Sequence, residues 1–133
     1  MPLYVAEVHS ERATREARLD GEMIVWWATR LECVSAIARL RRVGELTSAT
    51  EGRALAFVSQ LAGSWREVQP TERVRSLATI LLRRHPLRAA DALQLSAALD
   101  WAGSDPTDRG FVTFDDRLAN AAALEGFTVI GGT

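Results

Sequence analysis

Asp91 lies in the stretch Arg88–Leu99, RAADALQLSAAL, where Ala and Leu, both strong helix formers, leave apolar side chains on nearly every side. An ionised carboxylate in such a helix is costly to bury unless it is paired, hydrogen-bonded or bound to a metal. Its place in the first turn offers a helix-dipole role worth about 0.3–1 kcal/mol, whereas desolvating the charge costs several kcal/mol. Two more carboxylates start helices directly after strand-like text: Glu32 after MIVWW, and Asp115 after FVTF. Each has a local explanation. Thr29-Arg30-Leu31-Glu32 reads as a capping box, in which the Thr hydroxyl accepts from the Glu32 amide and the Glu reaches back to the Thr29 amide. Asp115 reads as an N-cap, with Asp116 as a first-turn acid that suits the helix dipole.

The other explanation is that the three acids meet. Gathered carboxylates raise one another's pKa and repel, and a hard divalent ion relieves that. Mg²⁺ or Mn²⁺ takes oxygen ligands, keeps several waters, and can activate one of them for attack on a phosphodiester. No rival constellation is present. His9 and His85 stand alone at helix boundaries, and Cys33 falls inside a helix with no histidine near it in sequence. Ser35 and Ser96 have no Gly-x-Ser-x-Gly context, and no Gly-rich phosphate loop occurs.

The elements that must position these acids follow from pattern. Leu3–Val8, LYVAEV, suits a short strand or the tail of a helix. Ser10–Leu19 reads as a polar helix capped by Ser10, and Asp20-Gly21 as a turn. Met23–Trp27 is a strand buried on both faces. Thr29–Val43 is a helix whose Leu31, Val34, Ile37 and Ala38 follow helical spacing, ended by Gly44. Thr47 caps a second helix to Ala62, with Gly63 as its stop. Trp65–Val68 is a strand, and Pro70-Thr71 opens a helix to Arg84 that His85-Pro86 breaks. After the Asp91 helix, Gly103–Arg109 is a loop, Phe111–Phe114 a strand, Asp115–Glu125 a helix and Phe127–Ile130 a last strand. Strands alternating with helices imply a parallel sheet with helices on its faces, and sites beyond the carboxyl ends of the strands.

Composition sets the class. The 133 residues suit one domain, 1–133, with room for a core. Their 47% hydrophobic and 25% charged content is that of a soluble globular chain, with no run of membrane-span length and no signal-peptide pattern at the start. One cysteine suits a reducing cytosol. The 16 basic and 17 acidic residues nearly cancel, unlike the basic excess of many nucleic-acid binders. Every basic residue is Arg, however, the better side chain for bidentate phosphate contact, and Arg39, Arg41 and Arg42 cluster, as do Arg83 and Arg84.

In order along the chain, Thr29-x-x-Glu32, LRAADALQLSAAL and FVTFDDRLANAA with a short final strand resemble the PIN domain, and more narrowly the VapC-like toxins of bacterial toxin–antitoxin pairs. The resemblance runs from about Leu3 to Ile130. It implies a three-layer α/β/α fold around a parallel sheet, a cytoplasmic Mg²⁺- or Mn²⁺-dependent ribonuclease acting on RNA, a homodimer, and a small antitoxin that silences the site. By motif it assigns Glu32, Asp91 and Asp115 as metal-holding catalytic acids, Asp116 as a helper ligand, and Thr113 as a positioning hydroxyl. Arg88 and Arg117 are the candidate phosphate holders.

The resemblance also implies that the family's first strand, which ends in a metal-binding Asp, is absent from this chain. Leu3–Val8 then becomes the end of the first helix, and the sheet has a gap at its centre that exposes unpaired backbone. Weakened metal affinity and low activity follow. Three explanations compete: a start upstream, a degenerate domain that binds an antitoxin or RNA without cleaving, or N-terminal residues rearranged to fill the gap. Against all of these stands an unrelated α/β scaffold in which the three acids only cap helices.

Overall fold

The computed structural model describes residues 4–6 and 23–131. Five strands form one parallel sheet: β1 (Tyr4–Ala6), β2 (Met23–Trp26), β3 (Arg66–Val68), β4 (Gly110–Val112) and β5 (Thr128–Ile130). Their order is β3-β2-β1-β4-β5. The chain moves outward from β1 through β2 to β3, then crosses to the far side of β1 for β4 and β5. The strand order therefore reverses at β1, the kind of switch point where α/β sheets place their sites.

This arrangement corrects the expectation of a central gap. Tyr4–Ala6 is a strand and not the end of a helix. Its Tyr4 and Val5 pair with Met23 and Ile24 of β2, and its Tyr4, Val5 and Ala6 pair with Gly110, Phe111 and Val112 of β4. The physical reason is the one that made the gap unfavourable: unpaired ladder groups on β2 and β4 take up the nearest extended segment. The helix expected over Ser10–Leu19, the Asp20-Gly21 turn and His9 lie outside the described residues.

Among the described residues five helices cover the sheet: α1 (Thr29–Arg42), α2 (Ser48–Ala62), α3 (Glu72–Arg84), α4 (Ala89–Trp101) and α5 (Asp116–Leu124). Alternation along β2 sorts them into two layers. Ile24 and Trp26 pack with Val74, Leu81, Leu95, Leu118 and Phe127 on the face of α3, α4 and α5. Met23 and Val25 pack with Cys33, Val58, Leu61 and Trp65 on the face of α1 and α2. All four β2 residues are buried, as the unbroken apolar run predicts. The result is a three-layer α/β/α fold.

Local signals set most boundaries. The Thr47 hydroxyl accepts from the Thr50 amide while Thr50 Oγ1 accepts from the Thr47 amide, a full capping box. The Thr71 hydroxyl caps α3 through Val74 N, and Asp115 caps α5 through Leu118 N at 2.9 Å. Gly44, at φ +81°, follows the end of α1 where a side chain would be strained. His85 turns to extended backbone before Pro86, which ends α3.

α1 departs from its pattern. Leu31 is 70% exposed and Val34 37%, while the buried positions are Thr29 and Cys33. The helix is turned so that Cys33, with Ile37 partly buried beside it, meets the sheet.

Candidate functional site at the carboxyl edge of the sheet

Glu32 and Asp115 start from strands on either side of β1: β2 leads into α1, and β4 leads into α5. They therefore flank the switch point. Asp91 stands in the first turn of α4, the most buried helix, whose Ala92 and Gln94–Leu99 are all buried. Its own start is wetter than the apolar sequence predicts. Arg88, Ala89 and Ala90 are exposed, and Asp91 is half-buried. The carboxylate thus pays only part of the desolvation cost that made it conspicuous.

The capping box at Thr29 is not formed, which is a second correction. Ala28 is the N-cap of α1 and no side chain caps the helix. The Glu32 amide donates to the Ala28 carbonyl at 3.0 Å, and the Thr29 hydroxyl, 2% exposed, has no hydrogen-bond partner among the described residues. Thr29 has moved one position into the helix, out of capping geometry. The Glu32 side chain reaches α4, where Gln94 Nε2 donates to its Oε2 at 3.1 Å.

Gln94 is the functional candidate that motif reading missed. It is 5% exposed, and its Oε1 is buried without a hydrogen-bond partner among the described residues. An unsatisfied buried carbonyl costs about 1–3 kcal/mol, so stability alone favours an apolar side chain at this position. The available signal was a single amide inside ADALQLSAAL. Gln94 follows Asp91 by three residues, so the two share a helix face with neighbouring side chains. One amide therefore joins the α1 acid to the helix that carries the α4 acid.

Asp115 takes the capping role. One oxygen caps α5, and its own amide donates to Thr113 Oγ1 at 3.1 Å. Thr113 is fully buried at the end of β4, and its amide donates to the Ile130 carbonyl. The hydroxyl expected to position a ligand thus positions the turn that presents Asp115. Asp116 and Arg117 are exposed in the first turn of α5, and Arg88 is exposed at the N-cap of α4.

Among the described residues no group of three or more His, Cys, Asp or Glu side chains lies together at metal-binding distance. That argues against a closed protein cage. Separate carboxylates would suit only a hydrated hard cation, since Mg²⁺ is commonly bound through one or two carboxylates while keeping several waters.

The two histidine readings divide similarly. His85 is the C-cap of α3 and its Nε2 lies 2.7 Å from Glu125 Oε2, a structural contact between the end of α3 and the end of α5. Cys33 is buried. No helix among the described residues is long and apolar enough to cross a membrane.

No protein-family model matches the sequence, and no curated protein matches it. Solved structures do. PAE2754 from Pyrobaculum aerophilum superposes with a TM-score of 0.61 at 19% identity, over 97% of this chain and 89% of that one. A toxin–antitoxin complex from Klebsiella pneumoniae contains a chain that superposes with a TM-score of 0.56 at 11% identity, over 90% and 91%. At such identities the likeness is one of fold: the chain shares its three-layer α/β/α architecture with PAE2754 and with a component of a toxin–antitoxin complex.

Proposed function

We propose that this chain is the toxin of a VapBC-like toxin–antitoxin pair, a PIN-type endoribonuclease that hydrolyses RNA phosphodiester bonds with Mg²⁺ or Mn²⁺. The observation that carries the reading is the tie between Glu32 and Gln94, which joins the acid after β2 to the Asp91 helix at the switch point of the sheet. The fold shared with a component of a toxin–antitoxin complex supports it. When bound, the cation supplies Lewis acidity and an activated water. Glu32, Asp91, Asp115 and Asp116 are the acids that would hold it, one or two of them directly and the others through its waters, and Thr113 fixes the turn that carries Asp115. Arg88 and Arg117, exposed at the starts of α4 and α5, hold the phosphates on either side of the scissile bond. The reading places the protein in the cytoplasm as a homodimer, silenced by a small antitoxin. Trp27, 51% exposed beside the start of α1, is available to such partners. The test is cleavage of a labelled RNA pool with Mn²⁺, with chelator, and with Asp91→Asn. Chelator-insensitive cleavage equal in both proteins overturns the metal mechanism.

A second reading is a PIN-like module that binds an antitoxin or RNA without chemistry. The observation in its favour is the lack of a three-acid cluster among the described residues. It requires that Asp91→Asn leave partner binding and cell toxicity unchanged.

A further inference from the structure

A cavity of about 350 Å³ opens at the carboxyl edge of the sheet, where β2 and β3 end and α3 begins. Ligand pockets run from about 300 Å³ upward. Trp26 and Val74, 5% and 0% exposed, form its floor, and Pro70 and Leu93 stand nearer the solvent. Glu72 and Arg75 line its mouth, both well exposed, and pair with each other across one turn of α3. This lining selects a chemistry. An apolar floor with an indole in it does not suit an ion. The pairing of Glu72 with Arg75 offsets their charges, so the mouth has little net pull on a phosphate. It still offers carboxylate oxygens that accept and guanidinium N–H groups that donate. The matching group is flat, neutral and apolar on its faces, with donors and acceptors along its edge, which describes a nucleobase.

We propose that this cavity takes one unstacked base of a single-stranded RNA, packed against Trp26 and Leu93 and read along its edge by Glu72 and Arg75. The inference rests on the ribonuclease reading above and adds a substrate subsite to it. Placement supports it. Leu93 is next in the chain to Gln94, the hydrogen-bond partner of Glu32, so the cavity adjoins the acid that follows β2. In the sheet it lies on the β3 side of that acid, while Asp115 lies beyond β1. An RNA strand running along this edge, with a phosphate at the switch point, brings a neighbouring base to the cavity.

Two measurements on the full chain test the subsite. The first is binding of a short labelled single-stranded RNA, with chelator present, beside the same RNA carrying one abasic nucleotide at each position in turn. In the wild type one abasic position is expected to weaken binding by about 10-fold, within the range for loss of one stacked base. Leu93→Trp, which fills the cavity, is expected to bind the intact RNA as weakly as that abasic RNA, with no further loss from the abasic change. Thermal unfolding establishes that the variant is folded. Should it not fold, Glu72→Gln and Arg75→Gln, at exposed positions, carry the test through the second measurement, sequencing of the ends cut from a random RNA pool with Mn²⁺. Each is expected to change the base preferred at one position beside the cut by about 5- to 100-fold, the worth of one good edge contact. An abasic effect undiminished in folded Leu93→Trp, or base preferences unchanged in both edge variants, overturns the subsite and leaves the ribonuclease reading standing. Loss of protein-partner binding in Leu93→Trp with RNA binding intact overturns it in favour of a protein occupant. A wild-type chain that neither binds nor cleaves RNA overturns both readings.

Discussion

Two glutamates are each gripped by a helix other than their own, and the grips differ in kind. Glu125, at the end of α5, is held by Arg84, whose Nη1 lies 3.0 and 3.1 Å from its two oxygens, and by His85 at 2.7 Å. Glu32, in the first turn of α1, is held by the neutral amide of Gln94. Cationic partners cancel a carboxylate's charge as they fix it. A neutral amide fixes a carboxylate without adding a charge of its own. The Glu125 contact is a charged lock between α3 and α5, whereas the Gln94–Glu32 contact is a neutral-donor hydrogen bond between α4 and α1. Burial alone raises the Glu125 carboxyl, but the hydrogen bonds from His85 and Arg84 outweigh it and hold the group below the usual carboxylate range.

The contrast is broken or sharpened by substitution. The largest effect is expected at the presenting edge. Asp91→Asn should lower Mn²⁺-dependent RNA cleavage by about 100-fold or more, since loss of an outer partner alone reaches that range. Its circular dichroism spectrum should not change. Full activity in this variant makes the edge as purely structural as the lock. Glu125→Gln should do the reverse. It should cost about 1.5–3 kcal/mol in urea unfolding, the worth of hydrogen bonds to a charged group, and leave Mn²⁺ affinity at the wild-type value.

The lock also predicts a pH dependence. Because the folded pKa of Glu125 is depressed, its contribution is complete above the unfolded value, about 4.3, and is lost as pH falls through the lower folded value. The stability difference between wild type and Glu125→Gln should therefore narrow in acid below that point. A constant difference across the acid range would show that the charge is not what the lock uses.

The smallest effects compare two threonines with the same sequence-level promise. Thr47→Ala removes a formed capping box and should cost about 1 kcal/mol in unfolding free energy. Thr29→Val replaces a buried hydroxyl that has no partner with a methyl group, so it should change unfolding free energy by less than about 0.5 kcal/mol or stabilise slightly. Equal losses at both sites would restore the capping box at Thr29.

These contrasts mark how far local pattern reaches. The caps at Thr47, Thr71 and Asp115, the stop at Gly44 and the break at His85-Pro86 were legible because each is decided within a few residues. The alternation of strands and helices, the parallel sheet and the acids that follow β2 and β4 were legible for the same reason. Thr29 was misread because two adjacent residues compete for one N-cap, and Ala28 took it. The Leu31 and Val34 stripe was misread because helical spacing gives a face but not the direction it turns. Asp91 was read as more buried than it is, since an apolar neighbourhood in sequence does not fix depth.

By itself, then, the sequence determined the elements, most of their ends and which carboxylates open helices after strands. Tertiary structure decided which of them have partners and of what kind. Tyr4–Ala6 became the central strand only because β2 and β4 lie on either side of it with ladder groups to satisfy. Gln94 acquired meaning only when folding brought it against an acid 62 residues away. Hydrogen bonds within a turn are written in neighbouring letters, while those between helices depend on how both helices rotate against one sheet.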